Sequence, residues 1–481
     1  MIRIQNYIGG RFCDAVDGST LHLIDPATAE IVGTFPDSAQ KEVEAAIGSA
    51  EDACAHWSAS GPEYRSAWLY KLANAIEASL EAFAQAESSD SGKPLSVART
   101  VDIPRAVANF RFFAGAILHD QSEAYVDRPS VLNYTLRQPL GVVGCISPWN
   151  LPLYLFSWKV APALASGNCV VGKPSEVTPL TAFLLAKACA DIGFPAGVLN
   201  IVHGTGPKAG AAIVAHPKVK AISFTGGTAT GKIIAQVASE SLKKVSLELG
   251  GKNPTIIFED ADLEAAATET IKAAFSNQGQ ICLCGSRILI QASVYDQIKS
   301  KLIDKARALT VGDPQDSSTD LGAIVSKAHF DKVLHHMEIA EKEGGQILTG
   351  GKKVSVSGRC KNGYFLAPTL IEGLPPTCST NQDEIFGPVA TLIPFETEKE
   401  AIEMANGTRY GLSASVWTKD LNRAHRVSSA LSSGIVWVNC WMHRDLRTPF
   451  GGVKESGVGR EGGLYALRFF TEAKNVCIKT S

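Results

Sequence analysis

Apolar side chains in the first part of the chain recur every three or four residues. This spacing runs through residues 41–56, 63–87 and 100–117, and it places the apolar side chains on one face of a helix. We therefore expect three amphipathic helices there. The segment Ser91-Gly-Lys-Pro, which follows the second of them, is expected to end that helical region.

After Pro139 the pattern changes to short apolar runs bounded by glycine and proline, which are typical of buried strands. The runs are Gly141-Val-Val-Gly-Cys-Ile, Cys169-Val-Val-Gly, Val198-Leu-Asn-Ile-Val, Ala221-Ile-Ser-Phe, Thr255-Ile-Ile-Phe and Ile288-Leu-Ile. Helical stretches alternate with them at 179–192, 206–215, 263–275 and 294–308. This alternation predicts a parallel, doubly wound α/β sheet, and the polar segment 352–364 is expected to be a surface loop.

Composition and charge narrow the class of protein. The 481 residues are 45% hydrophobic and 20% charged, with a net charge of -2, which is ordinary for a globular protein of two or three domains. No basic excess points to nucleic acid or to an anionic membrane, and we find neither a signal peptide nor an apolar run of membrane-spanning length. The 11 cysteines show no zinc-ligand spacing and favour a reducing compartment. We therefore expect a cytoplasmic protein.

Two glycine-rich segments resemble nucleotide-binding loops without matching them. In Gly204-Thr-Gly-Pro-Lys-Ala-Gly the third glycine comes one residue too late for the dinucleotide fingerprint. Gly226-Gly-Thr-Ala-Thr-Gly-Lys-Ile lacks, at Ile233, the hydroxyl with which a P-loop holds magnesium. We therefore exclude an ATPase. Two interpretations of the turn after Phe224-Thr225 remain: a tight structural turn, or one whose backbone amides face a pyrophosphate.

The segment Phe275-Ser-Asn-Gln-Gly-Gln-Ile-Cys-Leu-Cys-Gly-Ser-Arg is a polar loop between a predicted helix and a predicted strand, and loops so placed often carry function. Its two thiols, Cys282 and Cys284, are candidate nucleophiles, since polar amides can stabilise a thiolate. One alternative is a pair of buried apolar cysteines. Another is a cysteine–histidine dyad, although none of the 10 histidines lies in a recognisable partner motif.

Two further segments hold polar residues in apolar or rigid surroundings. Glu248, in Val245-Ser-Leu-Glu-Leu-Gly-Gly, is a candidate general base because burial raises the pKa of a carboxyl group. The alternative is an edge-strand glutamate that faces solvent. Asn150, in Ile146-Ser-Pro-Trp-Asn-Leu-Pro, is either a donor to a developing oxyanion or an ordinary turn asparagine.

These segments together resemble the aldehyde dehydrogenase superfamily, in the expected order and over nearly the whole chain. The six matching motifs are Pro148-Trp-Asn150, Gly172-Lys-Pro-Ser-Glu176, Glu248-Leu-Gly-Gly-Lys, Gln280-Ile-Cys282, Glu384-Ile-Phe-Gly-Pro-Val and Pro449-Phe-Gly-Gly. One departure is Gly227, where the family often has a serine that touches the pyrophosphate. The resemblance implies a covalent thioester on Cys282, an oxyanion bound by Asn150 and a water activated by Glu248.

The resemblance also implies the fold and the cofactor. We expect an α/β fold of the aldehyde dehydrogenase type with three parts. These are a doubly wound NAD-binding domain at 1–118 and 140–250, an α/β catalytic domain at 251–450, and a β oligomerisation arm at 119–139 and 469–481 that builds a homodimer or homotetramer. NAD is the expected cofactor, and the mechanism needs no metal. The expected cofactor-binding residues are Ile146, Ser147, Trp149, Lys173, Glu176, Gly206, Phe224, Thr225, Gly226, Gly227, Leu249, Gly250, Glu384 and Phe386.

Two runs point to a narrower group within the superfamily. Val101-Asp-Ile-Pro-Arg105 and Asn439-Cys-Trp-Met-His-Arg444-Asp-Leu-Arg resemble the 2-aminomuconic and 2-hydroxymuconic semialdehyde dehydrogenases, which act in tryptophan or aromatic catabolism. This implies that Arg105 and Arg444 anchor the distal carboxylate of the substrate, with Arg447 in reserve. The alternative is that each is a solvated surface arginine. The expected substrate-binding residues are Arg105, Leu151, Tyr154, Arg444 and Phe450.

Other functions remain open at this point. They are a dehydrogenase of another aldehyde, such as succinate semialdehyde or betaine aldehyde, an NAD-independent cysteine esterase, and a non-catalytic binding or structural protein on the same fold. The joint presence of Cys282, Glu248 and Asn150 argues against the non-catalytic protein.

Overall fold

Two large β-sheets with helices packed against them organise the chain. The computed structural model describes residues 1–128 and 130–479. Its strands are β1 (Ile2–Arg3), β2 (Asn6–Ile8), β3 (Arg11–Cys13), β4 (Thr20–Asp25), β5 (Glu30–Pro36), β6 (Ala124–Arg128), β7 (Val131–Pro139), β8 (Val142–Ile146), β9 (Cys169–Lys173), β10 (Leu199–Ile201), β11 (Val219–Thr225), β12 (Lys244–Glu248), β13 (Pro254–Ile257), β14 (Arg287–Gln291), β15 (Gln346–Thr349), β16 (Thr369–Glu372), β17 (Val389–Phe395), β18 (Ser413–Trp417), β19 (Ile435–Val438), β20 (Gly457–Val458) and β21 (Thr471–Lys479).

The helices alternate with these strands through most of the chain. They are α1 (Gln40–Ala59), α2 (Pro62–Ala78), α3 (Leu80–Ser91), α4 (Leu95–Val97), α5 (Ile103–Ala116), α6 (Pro152–Ala165), α7 (Leu180–Asp191), α8 (Ala211–Ala215), α9 (Thr228–Ser239), α10 (Leu263–Phe275), α11 (Tyr295–Ala308), α12 (Lys327–Lys342), α13 (Ser379–Gln382), α14 (Glu398–Asn406), α15 (Leu421–Ala430) and α16 (Gly463–Phe469). Two π-helical turns precede α5 and α8, at Ala98–Asp102 and Gly206–Gly210.

The first large sheet has eight strands in the order β20-β12-β11-β8-β9-β10-β2-β3. Its five central strands run parallel, and antiparallel strands close both edges. The second has seven strands in the order β15-β16-β17-β14-β13-β18-β19, parallel except for β15. The prediction of an α/β fold with a doubly wound parallel sheet is therefore confirmed.

A smaller antiparallel sheet, β21-β7-β6, carries the segment predicted to be an arm. Strand β21 pairs with β7 along its full length, from Thr471 opposite Pro139 to Lys479 opposite Val131. Strand β6 is exposed throughout. Within the predicted arm, residues 124–128 and 131–139 form β6 and β7. Residues 129 and 480–481 of the predicted arm lie outside the described residues.

The predicted helix at 63–87 is in fact two helices, α2 and α3, so this prediction is wrong. Ser79 lies between them with φ −109° and ψ 21°, and its N–H bonds back to the carbonyl of Ile76. The spacing hides the break because apolar side chains on both sides of it, Ile76 and Phe83, are buried in the same core.

The helix predicted at 100–117 begins as the π-helical turn Ala98–Asp102 and continues as α5. Pro104 lies in the first turn of α5, where an N–H has no partner within the helix in any case. Arg105 therefore stands on the first turn of α5, directly after the π turn.

The cysteines and helices bear on the expected location. All 11 cysteines are free thiols. No helix in residues 1–128 or 130–479 combines the length and apolar character needed to cross a bilayer. Within the same residues, no cluster of three or more His, Cys, Asp or Glu side chains is arranged to hold a metal ion.

Candidate active site

A cleft of about 250 Å³ opens at the carboxyl ends of the parallel strands β8, β11 and β12. Parallel sheets of this kind bind ligands at that edge. Ten of the predicted site residues line the cleft, together with Pro148 of the Pro148-Trp-Asn150 motif and two residues that were not predicted, His329 and Lys332. The predicted ones are Trp149, Asn150, Thr225, Gly226, Gly227, Leu249, Gly250, Cys282, Glu384 and Phe386.

The loop before Cys282 has an unusual backbone that is held in place from several sides. Asn277 and Gln278 adopt left-handed conformations, with φ of 51° and 57°, which non-glycine residues rarely adopt. The side chain of Gln278 donates to the carbonyl of Ala323 at 3.0 Å. Gly279 has φ +70°, and a Cβ there would lie 2.1 Å from the carbonyl oxygen of Gly387. The hydrogen bond of Gln278 and the close approach of Gly279 to Gly387 therefore fix the loop.

The two thiols of the loop have different surroundings. Cys282 is half-buried and lines the cleft, whereas Cys284 is buried and its Sγ lies 3.9 Å from the carbonyl oxygen of Ser276. Burial raises the pKa of Cys284 to about 12. Burial also raises the pKa of Cys282, as do the nearby Glu384 and Glu248, so the resting group is a thiol. Of the two, only Cys282 is placed to meet a molecule in the cleft.

The backbone carbonyl of Cys282 is anchored by a residue that the sequence analysis missed. Asn253 Nδ2 lies 2.7 Å from this oxygen and 3.0 Å from that of Cys284. Asn253 follows the Gly-Gly-Lys of the Glu248 motif, but its position in the sequence does not predict a hydrogen bond to Cys282, 29 residues away. Its side chain fixes both ends of the Cys-Leu-Cys turn.

Asn150 is hydrogen-bonded directly to the nucleophile loop. Its Nδ2 donates to the carbonyl of Gln280 at 2.9 Å, and since a primary amide has two N–H groups, the second remains for a ligand. Its own backbone carbonyl accepts from Asn277 Nδ2 at 3.1 Å and from Lys93 Nζ at 3.2 Å. Asn150 is thus held by both its side chain and its main chain.

Glu248 ends β12 and is buried. Neither of its carboxyl oxygens has a hydrogen-bond partner within residues 1–128 and 130–479. Burial raises the pKa of Glu248 well above its usual value, and the neighbouring Glu461 raises it further. Glu461 is itself paired with Lys159, at 2.7 Å. The surroundings of Glu248 therefore favour its protonated form, and the side chain lies beside a buried ion pair.

A second group of predicted residues meets at the ends of β8 and β9. Lys173 Nζ pairs with Glu176 at 2.9 Å, and the other oxygen of Glu176 accepts from the N–H of Gly206 at 3.3 Å. The N–H of Ser147 donates to the carbonyl of Lys173 at 3.1 Å. Burial alone would raise the pKa of Glu176, but the positive charge and hydrogen bond of Lys173 outweigh burial, so the pKa is lowered. This group presents an ionised carboxylate beside the cleft.

The remaining predicted cofactor residues, Ile146 and Phe224, pair across β8 and β11. Their side chains are buried, and they do not line the cleft. Their backbone pairing fixes the ends of β8 and β11, and the turns that follow these two strands form part of the cleft.

Glu384 and an aromatic group close the far side of the cleft. Glu384 accepts from the N–H of Gly251 at 2.9 Å, and a Cβ at Gly250 would lie 2.2 Å from its Oε2. The ring of Trp149 packs 5.2 Å from that of Phe386 and 4.9 Å from that of His329. His329 and Lys332 come from α12, a helix that the sequence analysis did not predict.

A second cavity, of about 550 Å³, lies beside the cleft and contains the arginines expected to bind substrate. It is lined by Arg105, Phe112, His443, Arg444, Asp445, Leu446 and Arg447. Arg444 donates to the Tyr154 hydroxyl at 2.9 Å and stands 3.8 Å over the ring of Phe450. Phe450 packs in the same apolar cluster as Cys282 and Cys284, and the charge of Arg444 opposes the rise in the pKa of Cys282, so this arginine of the cavity lies near the nucleophile.

Arg105 faces the same cavity with unsatisfied donors. Its guanidinium stands 5.4 Å from the ring centre of Tyr154 and 5.8 Å from that of Trp158. Its Nε and Nη2 are buried without a hydrogen-bond partner in the described part of the chain. Burial lowers the pKa of Arg105, and the nearby positive charge of Arg444 lowers it further.

The other two predicted substrate residues, Tyr154 and Leu151, have different surroundings. Tyr154 joins both arginines, by a hydrogen bond to Arg444 and by its ring to Arg105. Leu151 is buried in a small cluster with Tyr154 and Leu155. Arg447, the reserve candidate, is bound by both oxygens of Asp445, and its side chain is 79% exposed.

The family model described as "Aldehyde dehydrogenase family" matches residues 12–476. The chain therefore belongs to the aldehyde dehydrogenase family, as its six motifs predicted, and the interpretation as a non-catalytic protein gives way to that of an enzyme. It is 50% identical over 479 residues to 2-aminomuconic semialdehyde dehydrogenase of Danio rerio, which covers 99% of this chain and 98% of that protein. It is 43% identical over 485 residues to 2-hydroxymuconic semialdehyde dehydrogenase of Pseudomonas sp. (strain CF600), covering 100% of each.

A solved structure agrees with the fold. The NAD+ complex of aldehyde dehydrogenase from Bacillus cereus superposes with a TM-score of 0.97 at 39% identity, covering 100% of this chain and 97% of that one. The narrower resemblance to the muconic semialdehyde dehydrogenases is confirmed by the relatives from Danio rerio and Pseudomonas.

Proposed function

We propose that this enzyme oxidises a semialdehyde that carries a carboxylate at its far end, of the 2-aminomuconate or 2-hydroxymuconate kind, to the dicarboxylic acid, with NAD as hydride acceptor. The observation that carries the proposal is the pair of guanidiniums, Arg105 and Arg444, on one cavity beside Cys282. Neither of them forms a salt bridge with a carboxylate in residues 1–128 or 130–479. Asp445, on the same cavity, is paired with Arg447 and offsets the charge of Arg105 only in part. The names of the relatives agree with this substrate class.

The electrostatics of the cavity favour an anion. Two like charges that share a partly buried space repel each other, and burying a charge without a partner is costly. A carboxylate that enters the cavity removes both conflicts, because a guanidinium binds it through two parallel hydrogen bonds. The unpartnered Nε and Nη2 of Arg105 supply such a fork. A cationic substrate such as betaine aldehyde is repelled by the same charges.

The residues present fit NAD. The turn Gly226-Gly227 follows β11 and precedes α9, and a Cβ at Gly227 would meet nothing within 4 Å, so backbone amides there are open to a pyrophosphate. We assign the adenosine ribose to Glu176 and Lys173, and the nicotinamide ribose to Glu384. When bound, NAD supplies the hydride acceptor.

The residues of the cleft divide the chemistry among them. Cys282 releases its proton to solvent water in the cleft, and its thiolate attacks the aldehyde carbon. The oxyanion that forms accepts from the free N–H of Asn150 and from the backbone N–H of Cys282. Loss of a hydride from the same carbon leaves a thioester on Cys282. Glu248, once ionised, takes a proton from a water that attacks the thioester and releases the acid.

The domain roles are part of the proposal. We assign cofactor binding to residues 1–118 and 140–250 and catalysis to 251–450. We assign assembly into a homodimer or homotetramer to the arm at 119–139 and 469–481. Strand β6 supports the last role, because an exposed strand with Tyr125 and Val126 64% and 72% accessible invites a partner. The 11 free thiols support a cytoplasmic location.

A substrate panel tests the proposal. NADH formation is measured for a muconic semialdehyde, succinate semialdehyde, betaine aldehyde and benzaldehyde. We expect kcat/KM to be highest for the muconic semialdehyde and lowest for betaine aldehyde. Equal efficiency for benzaldehyde and the muconic compound would contradict the substrate assignment, and ester hydrolysis without any NADH formation would contradict the reaction itself.

A further inference from the structure

A cluster of charged side chains is buried behind the cleft and takes no direct part in the mechanism above. Lys93 Nζ pairs with Asp102 at 2.5 Å and with Glu87 at 3.4 Å, and the three side chains are 0%, 1% and 0% exposed. Burial lowers the pKa of Lys93, but Asp102 and Glu87 outweigh it and raise the pKa above its usual value. Lys93 is therefore a buried ammonium ion.

This cluster grips the backbone of the loop that carries Asn150. Lys93 Nζ donates to the carbonyl of Asn150 at 3.2 Å. Glu87 Oε2 accepts from the N–H of Leu153 at 3.4 Å, in the first turn of α6. The two ends of the segment 150–153 are thus tied to one buried ion pair.

The same ammonium reaches the helix that carries a proposed substrate anchor. Asp102 is the last residue of the π-helical turn Ala98–Asp102, and α5 begins at the next residue. Arg105 follows three positions after Asp102. π-Helical turns occur often at functional sites. One side chain, Lys93, therefore joins the start of α5 to the main chain of Asn150.

Stability alone is a weak explanation for such a cluster. A buried ion pair costs so much desolvation that apolar side chains of similar volume often serve the folded state as well or better. What apolar side chains cannot do is donate to the Asn150 carbonyl, which fixes the peptide from which the Asn150 side chain projects. A misplacement of about 1 Å at such a group can lower a rate about 100-fold.

We infer that Lys93 is a positioning residue for the oxyanion donor Asn150, and that the Lys93–Asp102 pair holds this donor in register with the helix that bears Arg105. The inference rests on the role proposed above for Asn150. Lys93 touches no reacting atom, so its effect must pass through Asn150.

The test is a double-mutant cycle on the first NADH burst. The burst rate reports attack and hydride transfer, and the burst amplitude counts folded active sites. We expect Lys93→Met to slow the burst about 10- to 100-fold at saturating substrate, with little change in KM. In an Asn150→Ala background the same substitution should slow it no further, because the group it positions is gone.

Lys243→Met is the matched control. Lys243 is also a buried lysine that donates to backbone carbonyls, those of Val214 and His216, both at 2.6 Å. Its loss removes the same type of contact away from the cleft. We expect it to change the urea midpoint of unfolding while the burst rate stays within about twofold of the wild type.

Asp102→Asn provides a second variant in case Lys93→Met does not fold. It keeps the ammonium but removes its nearest carboxylate, and we expect the burst to slow about tenfold, again only while Asn150 is present. A burst rate within about twofold of the wild type for a folded Lys93→Met or Asp102→Asn enzyme would overturn the inference. So would losses that multiply with that of Asn150→Ala. Failure of the proposed function is distinguishable, because the wild type itself would then oxidise the muconic semialdehyde no better than benzaldehyde, or form no NADH at all.

Discussion

Arg105→Met is the substitution that most directly tests how the enzyme recognises its substrate. Methionine keeps an unbranched apolar stem against Tyr154 and Trp158, which lie beneath the guanidinium, and removes the charge and the donor fork. The change leaves Arg444 in place over Phe450, so the surroundings of Cys282 are preserved.

The expected magnitude follows from the contact that is lost. A hydrogen bond to a charged group contributes about 1.5–3 kcal/mol, which corresponds to a rise in KM of about 10- to 100-fold for the semialdehyde. For a neutral aldehyde such as benzaldehyde, KM should stay the same or fall, since the cavity becomes less polar. High salt should raise the wild-type KM for the semialdehyde, because it screens exposed charges.

The same change should stabilise the empty enzyme. Arg105 is partly buried, has two unpartnered N–H-bearing nitrogens among the described residues and faces a like charge on Arg444. Removing it relieves these costs, so the melting temperature without substrate should rise. Arg105 would then lower the stability of the fold while it binds substrate, which is the trade-off between stability and activity that functional sites often show.

Steady-state kinetics with both aldehydes decide the matter, and Arg447→Met is the control. Arg447 lines the same cavity but is already paired with Asp445 and is exposed to solvent. We expect its loss to change KM about twofold at most. Equal losses on the semialdehyde and benzaldehyde in Arg105→Met would show that Arg105 serves the fold and would refute the reasoning.

Four further predictions concern the cleft and the core. Cys282→Ala should abolish NADH formation while Cys284→Ala keeps most of it, and mass spectrometry should find the acyl group on residue 282 alone. Glu248→Gln should leave the first burst of NADH but slow turnover, since an amide cannot accept the proton of water. In the wild type, turnover should rise with pH as the raised pKa of Glu248 is passed; a flat profile would contradict its role as base. Glu176→Gln should narrow the preference for NAD over NADP, measured as a ratio of kcat/KM values, because the carboxylate repels a 2′-phosphate. Burial lowers the pKa of His203 from 6.5 to about 3. As pH falls, His203 is therefore protonated in the unfolded chain before it is protonated in the folded protein. The free energy of unfolding should decrease below about pH 6.5, and this decrease should be smaller in His203→Leu than in the wild type.

The sequence predicted the fold where each element carries one clear pattern. The strands at residues 141–146, 169–172 and 221–224 are buried runs between glycines and prolines, and all three are present in the eight-stranded sheet. Helix α6 was missed because all 14 of its residues are buried, so no polar face gave it a helical period.

The candidate site was predictable as a set of motifs but not as a geometry. Cys282, Asn150 and Glu384 stand in recognisable segments, and the structure brings them to one cleft. Lys93 and Asn253 act on the site through bonds to backbone carbonyls 57 and 29 residues away. Any lysine or asparagine can make such a bond, so only the folded chain reveals which ones do.

Strand β20 has a consequence for how the chain is made. This two-residue strand, Gly457–Val458, pairs with the end of β12, where Glu248 lies. During synthesis on the ribosome, the strands β8 to β12 emerge some 200 residues before their edge is covered. Until then, the nascent sheet offers an open edge to other chains. We expect a fragment that stops near residue 250 to aggregate. Truncation just before β20 should lower the yield of folded protein as well as its activity.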